Sequence, residues 1–323
     1  MDVNPHVRDA LVQMRLGTRV LNLQSKNVGD AGAATLAAEL RVNATLEALG
    51  LDNNGIGTAG AESLASALTA NVELKMLSLD HNPIGSRGAL AFARAFRENA
   101  ARDKPTLTLL SLEWNSIGDR GVLELARVLN STALSVLNLS YNVLSVVSAH
   151  ALAAALHTNV RLSRLRLVNV DLGDEVPLML ARTLESNTTL THLAVTVNAR
   201  NGALALASAL DTNRTLQSLG MDGNGVTVDI QNRVADRLRV NKIVPTLPAW
   251  VASAAAKVAE VPFYRGLPPG FAARAAVLAF GDKLLEQVLP CGSKRWRTPE
   301  GREFAEAYLL PLAKASLLRE QRR

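Results

Sequence analysis

The sequence predicts an α/β solenoid: a parallel sheet of short strands backed by an outer layer of helices, with a helical region following it. Two observations carry this expectation. The first is a repeat. Around Asn54 stand Leu46, Leu49 and Leu51 on one side and Ile56 and Gly57 on the other, and the same arrangement recurs around Asn82, Asn115 and Asn142. Further copies are anchored at Val170, Asn198 and Asn224, and one precedes them at Lys26, so eight units fill residues 1–241 at spacings of 28, 28, 33, 27, 28, 28 and 26. The second is a switch of period inside each unit. Apolar residues alternate before the anchor ("LGL", "LSL", "LNL") and recur at three and four after it ("LASAL", "LARVL", "LAAAL"), which reads as strand, turn, helix.

One such unit cannot bury its apolar face alone, whereas stacked copies share a continuous core. Stacking in a single rotational sense makes the strands parallel and puts the helices outside, leaving a strand-lined concave face. The 33-residue spacing reflects an insertion at "AARDKP", residues 100–105. An asparagine that ends each strand carries two donors and an acceptor, so it can satisfy turn backbone of its own and the next repeat. Lys26 and Val170 depart from that ladder. Lys26 fits an end cap facing water, and Val170 marks a weak joint.

The pattern "LxxLxLxxNxIGxxGAxxLAxAL" at a period near 28 resembles the leucine-rich repeats of the ribonuclease-inhibitor type, found in NOD-like receptors, Ran GTPase-activating protein and tropomodulin-related actin regulators. It covers about residues 14–241. The resemblance implies a horseshoe that binds macromolecules, with different partners on the same scaffold.

Residues 242–323 form a second region. Two prolines in "IVPTLPAW" stop the solenoid, and three helices are expected over about 249–260, 270–289 and 300–319, separated by further prolines. This region holds 13 Lys or Arg against 7 Asp or Glu, which accounts for the whole net charge of +6. It is read as a C-terminal cap for the last repeat or as a docking region. Its basic stretches "SKRWRTPEGR" and "REQRR" are the places where nucleic acid would bind, as in a ribonucleoprotein component.

A single cysteine, Cys291, rules out an internal disulfide framework. The opening "MDVNPHVRDALVQMRL" lacks the apolar centre of a secretory signal, and no apolar run approaches membrane-spanning length. The expected place is the cytoplasm, or the nucleus. Five N-x-Ser/Thr sequons, at Asn43, Asn130, Asn138, Asn187 and Asn213, are read as by-products of the repeat, because four of them stand just ahead of its first leucine.

No phosphate loop, dinucleotide fingerprint, zinc motif or nucleophile elbow occurs in the chain. No enzyme activity, catalytic residue, metal ligand or cofactor is expected. The informative surface is the strand face turned away from the leucines, to which positions −4, −2 and −1 from each anchor are assigned. There Asp52, Asp80 and Glu113 form one column and His81, Trp114 and Tyr141 the next, with Arg164 and Arg166 further along. Aromatics beside aligned charges suit a protein interface, and the carboxylates call for a partner with a basic surface. The first functional reading is therefore a scaffold that holds a protein partner on its concave face. The alternative is a regulator of another enzyme, such as a GTPase activator, with Arg87 and Arg120 in equivalent Gly-x-Arg-Gly turns as its candidates. Oligomeric state is not legible.

Overall fold

A computed structural model describes residues 4–103, 107–169, 175–223 and 225–243. The chain divides into two units, Met1–Leu238 and Arg239–Arg323, and the described residues lie almost wholly in the first. The three helices expected beyond residue 249, and the anchors Val170 and Asn224, fall outside the described residues.

Eight parallel strands make one sheet in simple sequence order: β1 Val20–Asn22, β2 Ala48–Gly50, β3 Met76–Ser78, β4 Leu109–Ser111, β5 Val136–Asn138, β6 Arg164–Leu167, β7 His192–Thr196 and β8 Ser218–Asp222. Their register aligns the middle leucine of every unit, from Leu21 through Leu49, Leu77 and Leu110 to Leu219. The helices that follow the strands are α2 Gly29–Leu40, α3 Thr58–Leu68, α4 Gly85–Ala101, α5 Asp119–Val128, α6 Val146–Thr158, α7 Glu175–Ser186, α8 Arg200–Ala209 and α9 Val228–Ile243. The insertion after Asn99 is absorbed at the end of α4, which runs for 17 residues against 11 in α3. The β3–β4 register is kept in spite of it.

Alternation places Leu49 and Leu51 inward, and the helical period adds Leu64 from the same unit; Leu77, Leu79 and Phe92 repeat the set, all buried. Each such side chain contributes about 1.5–3 kcal/mol by leaving water. A glycine in the first turn of α2, α3, α4, α5 and α8 permits neighbouring helices to approach closely. A Cβ at Gly60 would lie 3.0 Å from the Ala33 methyl, and one at Gly121 would lie 3.0 Å from the Ala89 methyl. Helix starts are also tied across repeats. Asp30 accepts from Gly57 and Gly60 N–H at 2.7 and 2.9 Å, Ser86 from Gly118 N–H at 2.9 Å, and Asp119 from Ser145 N–H at 2.8 Å.

The asparagine ladder is present at Asn54, Asn82, Asn115 and Asn142, each 5% exposed or less. It points backwards rather than forwards. Asn82 Oδ1 accepts from Asn54 and Ile56 N–H, both 3.0 Å, in the preceding repeat, while its amide donates to Leu51 and Leu79 carbonyls. One rung is broken: Asn115 Oδ1 is buried without a partner. The cause lies in the turn it faces. Gly55 and Ser116 follow their anchors with φ of 64° and 53°, whereas the equivalent Pro83 is confined to negative φ. The turn closes differently, with Ile84 N–H bonded to Asn82 O at 2.9 Å. Asn198, expected as an anchor, is exposed. Its neighbour Val197 is β-branched and unsuited to a left-handed turn, so β7 runs on for five residues instead of three.

Two features were not anticipated from sequence. Helix α1, Pro5–Arg15, precedes the first strand and buries Val7, Ala10 and Met14. Its N-cap Asn4 donates to Lys26 and Asn27 carbonyls, both at 2.8 Å, at the turn where the ladder begins. Lys26 itself is exposed, as an end-cap position requires. A second asparagine ladder runs along the helix-to-strand turns. Asn71 donates to Leu40 and Asn43 carbonyls and accepts from Glu73 and Leu74 N–H; Asn187 and Asn213 do the same in their repeats. The sequon asparagines Asn187 and Asn213 are therefore buried with their side-chain nitrogens committed to backbone carbonyls.

Candidate protein-binding face

The strands are shorter than the alternation implied, and this changes how the face is built. Most end at position −4, so positions −2 and −1 lie in the turn beyond. Position −1 is left-handed in six successive repeats: Ser25, Asn53, His81, Trp114, Tyr141 and Asn169 have φ between 50° and 58°. Asparagine tolerates this conformation, but for a bulky side chain it costs about 1–2 kcal/mol. Their N–H groups nevertheless continue the ladder, His81 to Glu113 O at 2.8 Å and Trp114 to Ser140 O at 3.1 Å.

That geometry holds three rings one above another. His81 and Trp114 stack with centroids 5.7 Å apart and planes 16° from parallel; Trp114 and Tyr141 stack at 4.7 Å and 12°. Stacking returns about 0.5–1.5 kcal/mol per pair, enough to offset part of the backbone cost. Trp114 remains 49% exposed. The sequence placed these residues in one column; their contact was not legible there.

The carboxylates form the neighbouring column, but they are not free surface charges. Asp52 Oδ1 accepts from Asp80 N–H at 2.9 Å and from the Ser78 hydroxyl, and Asp80 Oδ1 accepts from Glu113 N–H at 2.8 Å and the Ser111 hydroxyl at 2.6 Å. Glu113 Oε2 accepts from Asn138 Nδ2 at 2.8 Å. Each carboxylate thus ties its repeat to the next through one oxygen, and the other makes no hydrogen bond among the described residues. Burial lifts the Asp80 carboxyl above its ordinary pKa; bonds from Ser111 and Glu113 oppose the rise, and the charges of Asp52 and Glu113 add to it.

Arg164 and Arg166 stand on β6, both exposed on the open side. Arg164 pairs in register with Val136 and His192, and Arg166 with Asn138 and Ala194. Among the described residues neither has a carboxylate within ion-pair distance. The first strand position adds an apolar row, Val20, Ala48, Met76, Leu109 and Val136, of which Val20 and Met76 are the most exposed. Small residues lie between this row and the carboxylates: Gly50, Ser78 and Ser111. Arg87 and Arg120 are exposed in the first turns of α4 and α5.

Repeat and fold together define the class, a leucine-rich-repeat α/β solenoid. The Leucine Rich repeat family model matches residues 42–65, 71–93 and 103–126, three consecutive units of the eight in the sheet. No curated protein matches the chain. Among solved structures the chain is similar to leiomodin-1 actin-binding site 2, at 15% identity over 77% of this chain and 96% of that one, with a TM-score of 0.30. Among the described residues no helix is long and apolar enough to cross a membrane.

Proposed function

We propose that the protein is a noncatalytic scaffold that holds a protein partner on the open face of the sheet, around Trp114. One observation carries the reading: three stacked rings in left-handed backbone, with the central Trp114 half exposed. Large aromatics at a strained conformation cost stability in the free chain, and such strain concentrates at sites of function. Trp and Tyr are the side chains most often found as binding hot spots. The free carboxylate oxygens of Asp52, Asp80 and Glu113 favour a basic surface on the partner. His81 and Tyr141 flank the tryptophan, and Arg164 and Arg166 extend the contact.

The test is affinity purification of the tagged protein from its own cells, with wild type and Trp114→Ala compared quantitatively. The partner should be recovered by wild type and lost from the variant. The repeat length and the full helix in each unit support the ribonuclease-inhibitor type. We assign residues 1–241 to the repeat domain and 242–323 to a basic cap or docking region, the only part suited to nucleic acid. A second reading, a GTPase activator, is favoured by the exposure of Arg87 and Arg120 at matching helix starts. If the recovered partner hydrolyses nucleotide, stimulation by wild type but not by Arg87→Ala or Arg120→Ala decides for it.

A further inference from the structure

We infer that the element received by this face is an amphipathic α-helix, basic over one half and acidic over the other, lying obliquely across the strands. The inference rests on the scaffold reading and specifies its ligand. It begins with spacing. Contacts along the face recur once per strand, about 4.8 Å apart, and the rings are separated by 5.7 and 4.7 Å. A helix offers one side chain per turn on a given face, about every 5.4 Å. Over three repeats the two differ by roughly 2 Å. An extended peptide presents same-side residues about every 6.7 Å, so over three repeats it falls more than a full repeat out of step.

The charges supply direction. Asp80 stands at position −2 of the third repeat, and Arg166 at position −4 of the sixth. Three strand spacings and two residues of rise separate them, an oblique line about 16 Å long at roughly 25° to the sheet's lateral direction. That tilt stretches the contact spacing along the line to about 5.3 Å, close to the pitch of a helix. The same line spans about ten residues of helix. Lys or Arg on three successive turns would then meet the free oxygens of Asp52, Asp80 and Glu113, and an Asp or Glu about three turns on from the one facing Asp80 would meet Arg166.

Width agrees with length. From Met76 and Leu109 on one margin to Trp114 on the other is about five residues of strand and turn, at most about 16 Å. A helix with side chains is about 10–12 Å across. The floor between them carries short side chains at Gly50, Ser78 and Ser111, where longer ones would hold a helix off. Apolar residues beside the helix's basic stripe would rest on Met76 and on the exposed edge of Trp114.

The test uses the full-length protein and a fluorescein-labelled 22-residue peptide of alanine and leucine, with Lys on three successive turns and Glu two turns beyond the last of them. Its control has the same charged residues at the same positions, with two central alanines replaced by proline. Fluorescence anisotropy should show the helical peptide bound and the control at least tenfold weaker. Trp114→Ala, Met76→Lys and Asp80→Asn should each weaken the helical peptide at least tenfold. The double variant Arg164→Glu, Arg166→Glu should weaken it too, but not a version with Lys in place of the distal Glu. Equal binding of helical and proline-containing peptides overturns the helix while leaving a basic partner intact. If neither peptide binds, or if Trp114→Ala changes nothing, the helix and the scaffold reading of this face fall together.

Discussion

The Asp80 carboxylate accepts a hydrogen bond from Glu113 N–H at 2.8 Å, so a residue that presents charge on the open face also joins the third repeat to the fourth. Burial holds its pKa above the ordinary value, with Asp52 and Glu113 adding to the rise. A group whose folded pKa is raised contributes stability that is complete below its unfolded pKa of about 3.9 and is lost as pH climbs through the folded value. At neutral pH the ionised Asp80 is therefore a cost to the fold. Asp80→Asn keeps the accepting oxygen and removes the charge, so its thermal midpoint at pH 7 should exceed that of wild type, and the advantage should shrink towards pH 4. A lower midpoint at pH 7 would show that the carboxylate is needed for its charge in the sheet itself.

Asp119 gives the opposite sign. Burial pushes its carboxyl up, but hydrogen bonds from Ser145 and Ser148 overcome this and hold it below the usual carboxylate range. Its contribution is therefore present above the unfolded pKa and is lost as pH falls through the folded one. Because it ties the start of α6 to α5, Asp119→Ala should cost about 1 kcal/mol at pH 7. Melts of variant and wild type should approach one another as pH falls below the ordinary carboxylate range.

The anchor asparagines of the fourth and fifth repeats should not be equivalent. Asn142 Oδ1 accepts from Asn115 and Ile117 N–H, and its amide donates to Leu112, Leu139 and Ser140 carbonyls. Asn115 donates to Leu79 and Glu113 carbonyls, but its oxygen has no partner. Asn142→Ala should cost about 1–3 kcal/mol for the backbone groups it strands, and Asn115→Ala clearly less. Urea unfolding of both variants measures the difference; equal losses would mean that the broken rung at Asn115 is of no energetic consequence.

What could be read from sequence, and what could not, follows from the kind of signal each feature leaves. Leu49, Leu77 and Leu110 declare their strand by burial, which spacing records directly. The left-handed turn beyond that strand rests on one φ angle at Asn53, His81 or Trp114, and apolar spacing is silent about it, so alternation runs the strand too far. Stacking of His81, Trp114 and Tyr141 depends on that same angle. Asp80 could be placed on the open face by counting, while its bond to Glu113 N–H depends on backbone geometry that counting does not reach. Asn187 and Asn213 do leave a trace, as sequons recurring ahead of a leucine, although the repetition does not disclose its hydrogen-bonding reason. Helix α1 also left one, in the Asn4–Pro5 start and the spacing of Val7, Ala10 and Met14.

If the stacked column around Trp114 is the binding surface, the dissociation rate of the recovered partner must differ between wild type and Trp114→Ala. The loss of a hot-spot tryptophan costs upwards of about 2 kcal/mol, so dissociation should quicken by roughly thirtyfold while the thermal midpoint stays close to that of wild type. An unchanged dissociation rate from a folded variant would move the site off this face.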